Sequence, residues 1–205
     1  MGHKFTSLHI INSNTEQVGY RLAQCQLVSD KRDLERLKEI PNDPELSGVI
    51  NLLAKMKKLK PLEAAFYVID NNGNISVFSE YLISQTLKEK LMQLFAGFDK
   101  YVLSVDYFDD DFLEMLVFKK YKVKTSLVIG ENLDEYALKP AKFDANILCE
   151  IFNIQPDSIE NAYDPEDIFV TCTNFAELFQ LPLTLKTTDA INSKKFNVEE
   201  FIFEI

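Results

Sequence analysis

The segment KYVLSVDYFDDDFLEMLVFKKYKVK, residues 100–124, decides how the rest of the chain is read. Its two halves, Tyr101–Phe108 and Phe112–Phe118, are dense in β-branched and aromatic residues, the side chains that fit a pleated, half-buried surface. Between them stands Asp109-Asp110-Asp111, which suits a bend because Asp bonds to nearby backbone. Two such runs around a short polar turn read as a β-hairpin. Lys119–Lys122 makes a second turn, and Val123–Ile129 a third strand.

Toward the N-terminus, Phe5–Ile11 is a strand candidate followed by Asn12-Ser13-Asn14. Ser13 and Glu16 have the spacing of a capping box, which predicts a helix with Val18, Leu22 and Cys25 on its inner face. Short helical pieces follow, carrying Leu34, Leu37 and Ile40, then Leu46, Val49, Ile50, Leu53 and Met56. Ala64–Asp70 and Asn74–Phe78 flank Asp70-Asn71-Asn72-Gly73, a strong hairpin signal because Asn and Gly tolerate positive φ. Ser79 caps a long helix whose stripe is Ile83, Leu87, Leu91, Leu94, Phe95 and Phe98.

The order strand, helices, strand, strand, helix, strand is that of a split β-α-β, ferredoxin-like core. The expected fold is therefore α+β: a mixed, mainly antiparallel sheet in the order 6-5-4-1-3-2, extended by a meander. After Gly130 the composition changes. Phe143, Ile147, Leu148 and Ile151 predict a helix, Pro156 and Pro165 mark helix starts with Asp164 as cap for the second, and Ile168, Cys172, Phe175, Ala176 and Phe179 form a helical stripe. Leu181–Leu185 reads as extended, and Phe196–Ile205 as an added edge strand. Residues 1–130 are thus expected to form the sheet domain and 131–205 a helical extension that covers it without folding independently.

The totals constrain function more by exclusion than by assignment. A chain of 205 residues buries enough surface to fold without a disulfide or metal staple. The net charge of −10 and pI near 4.8 repel phosphate backbones and anionic lipid, so neither nucleic acid nor membrane is an expected partner. The small basic group Lys55, Lys57, Lys58 and Lys60 reads as the solvated face and basic end of a helix. Cys25, Cys149 and Cys172 are far apart with no Cys-x-x-Cys, the usage of reduced thiols in a cytoplasmic protein. No run reaches the length of a membrane span. Met1-Gly2-His3-Lys4-Phe5-Thr6 fits the short N-myristoylation pattern, but the reading preferred for it is the lead-in to the first strand.

The chain has no Gly-x-Ser-x-Gly, His-Glu-x-x-His, Gly-x-Gly-x-x-Gly or Walker loop, so the common catalytic signatures are missing, and no cofactor is expected. Two places remain as candidate binding residues. Asp106, Asp109, Asp110 and Asp111 form a carboxylate cluster of the kind hard cations want, although an Asp-rich turn also arises for conformational reasons. His9 alternates with Ser7 and Ile11 in the first strand, where a hydrogen-bonded core imidazole competes with a binding role.

Phe5-Thr6-Ser7-Leu8-His9-Ile10, the Phe66–Phe78 hairpin and the segment from Ser104 to Leu113 together resemble a group of functionally uncharacterised bacterial cytosolic proteins. In that group a Ser-Val-Tyr-Asp-type strand precedes a Tyr-Asp-Ser-Asp-Val-Leu-type hairpin; Asp109-Asp110-Asp111 fits the Asp-Ser-Asp turn with Asp110 in place of Ser. The resemblance implies a bacterial, cytosolic source and transfers no activity. Three readings stay open: a non-enzymatic, immunity- or antitoxin-like module that binds a basic protein partner, a metal-dependent hydrolase using the Asp106–Asp111 cluster, and a small-molecule sensor with a pocket between sheet and helices.

Overall fold

The computed structural model describes residues 4–18, 63–79, 95, 99–108, 111–120, 122–131, 133–134, 138, 142–164, 166–185 and 198–204. Seven strands form one sheet: β1 (Lys4–Ile10), β2 (Glu63–Asn71), β3 (Asn74–Ser79), β4 (Val102–Phe108), β5 (Phe112–Lys119), β6 (Lys122–Gly130) and β7 (Val198–Glu204). Their order is β6-β5-β4-β1-β3-β2-β7. The first six stand in the expected order, and β7, anticipated as an edge strand, takes the edge beside β2. The sheet departs from expectation in direction: every pairing among the described residues is antiparallel, where a mixed sheet was expected. β2–β3, β4–β5 and β5–β6 join neighbours through short turns that reverse the chain, and β1 enters antiparallel to both β3 and β4.

The β2–β3 turn follows directly from its residues. Asn72 and Gly73 have φ of 54° and 85°, the left-handed pair that matches the twist of flanking strands in a two-residue hairpin. Asp70 closes it by accepting from the Gly73 N–H at 2.9 Å. The short helical turn after β1 starts differently from the predicted capping box. Asn14, one residue later than Ser13, accepts from the Gln17 N–H at 2.9 Å. Ser13 instead turns its N–H to the Gly73 carbonyl at 2.8 Å, so tertiary pairing with the hairpin takes it out of the cap position.

Three helices are described on the C-terminal side: α1 (Ala145–Phe152), α2 (Pro156–Ala162) and α3 (Ile168–Phe179). Asp144 caps α1 by accepting from the Asn146 N–H, and Pro156 occupies the first turn of α2, where a missing N–H is harmless. The cap of α3 is Asp167 and not Asp164, because Asp167 accepts from the Val170 N–H at 2.9 Å. The segment expected to be extended, Leu181–Leu185, is a turn-containing coil held by Leu183 N–H to Leu181 O and Leu185 N–H to Pro182 O.

These helices lie on one face of the sheet. Leu103, Val105 and Tyr107 of β4 and Leu113, Met115 and Val117 of β5 share one apolar cluster with Leu148, Ile159, Cys172, Phe175 and Phe179. Alternation along β4 sends Val102 and Ser104 to the other face. That face is also buried, at Leu8, Ile10, Ile75, Val77 and Val102, which explains why these strands read as nearly unbroken apolar runs. Of the stripe predicted between Ser79 and Phe98, Phe95 is described: it is helical and fully buried. The rest of that stripe, the helical pieces from Leu34 to Met56, the Lys55–Lys60 group, Cys25 and Asp109–Asp110 lie outside the described residues.

Candidate functional site

A cleft of about 750 Å³ opens between the sheet and the α2–α3 connection. One wall is Tyr107 of β4 with Val128, Ile129 and Gly130 of β6, continued by Glu131 and Leu133. The other is Tyr163, Asp164, Glu166, Asp167, Ile168 and Phe169.

The helical wall is held by its own polar atoms. Asp164 Oδ1 accepts from the Glu166 N–H at 2.9 Å, forming a tight turn. Thr171, fully buried, accepts from the Asp164 N–H and donates to the Asp164 carbonyl, both at 2.8 Å. Asn174 Nδ2 donates to the Ala162 carbonyl at 3.1 Å. Asp164 and Asp167 thus each give one oxygen to backbone N–H groups, which fixes the direction of both carboxylates. Ile168 turns toward the core cluster. Phe169, one position on, meets Tyr107 edge to face, with centroids 5.7 Å apart and planes at 65°.

The sheet wall depends on Gly130. Its φ is +142°, and a Cβ there would stand 2.0 Å from the Asp111 carbonyl oxygen. That carbonyl accepts from the Glu131 N–H at 3.0 Å, and the Asp111 N–H donates to Phe108 O at 2.7 Å. Phe108 and Phe112 stack across the turn at 5.8 Å. The acidic turn of the opening segment therefore backs the cleft through its main chain and sets where Glu131 leaves the sheet.

The described members of the predicted set, Asp106, Asp111 and His9, stand at separate places in the sheet. Asp111 sits at the turn behind β6. Asp106 pairs with Thr6 and Glu114 and alternates away from Tyr107, so it belongs to the opposite face. Asp109 and Asp110 lie outside the described residues. Among the described residues, no group of three or more His, Cys, Asp and Glu is placed to hold a metal. His9 is fully buried in the middle of the sheet, with Nε2 2.8 Å from Ser7 Oγ and Nδ1 2.8 Å from Ser76 Oγ. Burial pushes its pKa down to about 3, so the ring is neutral and shut away from any ligand.

The cleft lining combines four carboxylates (Glu131, Asp164, Glu166, Asp167) and three aromatic rings (Tyr107, Tyr163, Phe169), with no basic side chain among the described residues. Among the described residues the lining also contains no Ser, Cys, Lys or His. Sequence reasoning passed over Tyr163, Glu166, Asp167 and Phe169. Their signal was the Tyr-Asp-Pro-Glu-Asp run before an apolar helix, in which Phe169 and Val170 fall off the buried stripe of Ile168, Cys172 and Phe175.

Two further features bear on the setting. Cys149 and Cys172 are free thiols, and no helix among the described residues is long and apolar enough to cross a membrane. Compared with protein-family models, with curated proteins and with solved structures, the chain matches none.

Proposed function

We propose that this chain is a non-enzymatic, cytosolic protein-binding module of the immunity or antitoxin kind, which neutralises a basic partner through the cleft between β6 and the α2–α3 connection. The observation that carries this reading is the lining itself, in which four carboxylates and three rings meet with no cation from the described chain. Such a lining attracts positive charge and penalises negative charge. Tyr163 and Phe169, 40% and 37% exposed, supply the aromatic surface that protein-binding sites favour. The free Cys149 and Cys172 support a reducing compartment, and the net charge of −10 favours rapid capture of a basic surface. We read the scaffold as a ferredoxin-like core of β1 to β4 extended by a meander; the order β4-β1-β3-β2 supports that reading.

A small-molecule sensor is the second reading, supported by a cleft volume of about 750 Å³, within the range of ligand pockets. Amide NMR titration separates the two. A mixed Lys/Arg peptide should shift signals of residues 128–131 and 163–169, with affinity falling as salt rises, while an acidic peptide of equal length leaves them unmoved. Shifts produced by small organic cations and not by the basic peptide would favour the sensor. No shift from either would end the basic-partner reading.

A further inference from the structure

We infer that the group this cleft takes from its partner is an arginine guanidinium, held with its face against the exposed rings of Tyr163 and Phe169 and its edge toward the carboxylates. The inference rests on the basic-partner reading and adds which cation is recognised.

The argument starts from how the two kinds of surface are distributed. Tyr107 and Phe169 meet from opposite walls at 5.7 Å, and Tyr163 stands immediately before the Asp164–Glu166 turn. Two of the five large apolar side chains most exposed among the described residues, Tyr163 and Phe169, line this one cleft. Scattered singly they would need no explanation; gathered at the mouth of a cleft they mark an interaction surface.

An ammonium and a guanidinium ask different things of such a place. Ammonium is compact and strongly hydrated, and entering the cleft would exchange water for a partly aromatic surround. Guanidinium is planar and weakly hydrated: its face stacks on rings while its edge forks onto carboxylates. Asp164 and Asp167 each keep one oxygen on backbone N–H groups, so they present directed acceptors, while Glu131 and Glu166 carry longer and more adjustable carboxylates from the two walls. An edge-on fork with a ring contact is the interaction that this set supports best.

The test uses blocked hexapeptides of Gly and Ser carrying one central Arg, Lys or citrulline, titrated into the full chain by calorimetry and amide NMR at low salt. The Arg peptide should bind about tenfold more tightly than the Lys peptide, as expected when stacking adds to charge. The citrulline peptide, which keeps the shape and loses the charge, should not bind measurably. Glu131→Gln combined with Glu166→Gln should weaken Arg binding about tenfold. Phe169→Ala should narrow the gap between Arg and Lys; a single cooperative thermal transition well above the titration temperature in each variant shows that folding is intact, and Phe169→Leu replaces Phe169→Ala if it is not. Equal or tighter binding of the Lys peptide would overturn the guanidinium assignment while leaving the basic-partner reading in place. Binding of neither cation, or equal binding of citrulline, would overturn both.

Discussion

His9 Nδ1 on β1 lies 2.8 Å from Ser76 Oγ on β3, so a buried hydrogen bond crosses the centre of the sheet where an apolar pair would be the default. Ser7 completes it from the other side of the ring, and Phe78 stands edge-on at 6.2 Å. Each serine hydroxyl can donate or accept, so the two bonds suit a neutral imidazole, with one ring nitrogen donating and the other accepting. Burial holds the folded pKa at about 3, below the ordinary 6.5. The unfolded chain therefore takes up a proton first as pH falls. The stabilisation is complete above pH 6.5 and is lost progressively as pH drops toward 3, at up to about 1.4 kcal/mol per pH unit. Chemical denaturation of wild type and His9→Gln between pH 7 and 4 checks this. The wild type should show a steeper loss of stability with acid than the variant; parallel profiles would mean that His9 does not carry the proton linkage.

Gly130 is the position where the cleft wall and the acidic turn touch. With φ at +142° and the Asp111 carbonyl 2.0 Å from where a Cβ would lie, any side chain must displace main chain. Gly130→Ala should destabilise the protein by roughly 2–4 kcal/mol through strain and loss of the Glu131–Asp111 bond. Gly73→Ala offers a comparison: its φ of +85° is equally unfavourable, but nothing lies within 4 Å of the new methyl, so the cost should be about 1 kcal/mol. Equal midpoints for the two variants in denaturant would refute the steric account.

The strands were legible because their residues carry the information locally. Val102–Phe108 and Phe112–Lys119 alternate or run apolar, and Asn72-Gly73 names its own turn. The helix starts were less legible, because Ser13 and Asp164 have acceptable cap chemistry and lost the role to Asn14 and Asp167 through longer-range bonds, to Gly73 and Thr171. The cleft was the least legible. Its walls come from β4, β6 and the α2–α3 connection, and no spacing along the chain announces that Tyr107 will meet Phe169. The carboxylate cluster drew attention to one end of the sheet, yet Asp111 contributes there through its backbone.

Cys172 is fully buried, and burial raises its thiol to about 12, so almost none is thiolate at neutral pH. Cys149 is only half-buried on α1. In the native protein a thiol reagent should modify Cys172 at the rate of unfolding and Cys149 faster. The denatured, unreduced chain should count three thiols, the third being Cys25. Fast native modification of Cys172, read by mass spectrometry of its peptide, would contradict its place in the core.

Phe175 links the helices to the sheet and so tests whether residues beyond Gly130 fold with the rest. It is buried in the cluster that joins α3 to β4 and β5, and it stacks on Phe179 at 5.3 Å, which stacks in turn on Phe152 of α1 at 4.2 Å. Phe175→Ala leaves a ring-sized void in that cluster and should cost about 3–5 kcal/mol. Phe169→Ala removes a ring that is 37% exposed and should cost about 1 kcal/mol, mostly its contact with Tyr107. Because one cluster spans both parts, the loss should appear as a single transition shifted to lower denaturant, with far-UV ellipticity and tyrosine fluorescence coinciding. Two separate transitions, with only the first moved by Phe175→Ala, would show that the helical extension unfolds on its own and that the shared core does not couple it to the sheet.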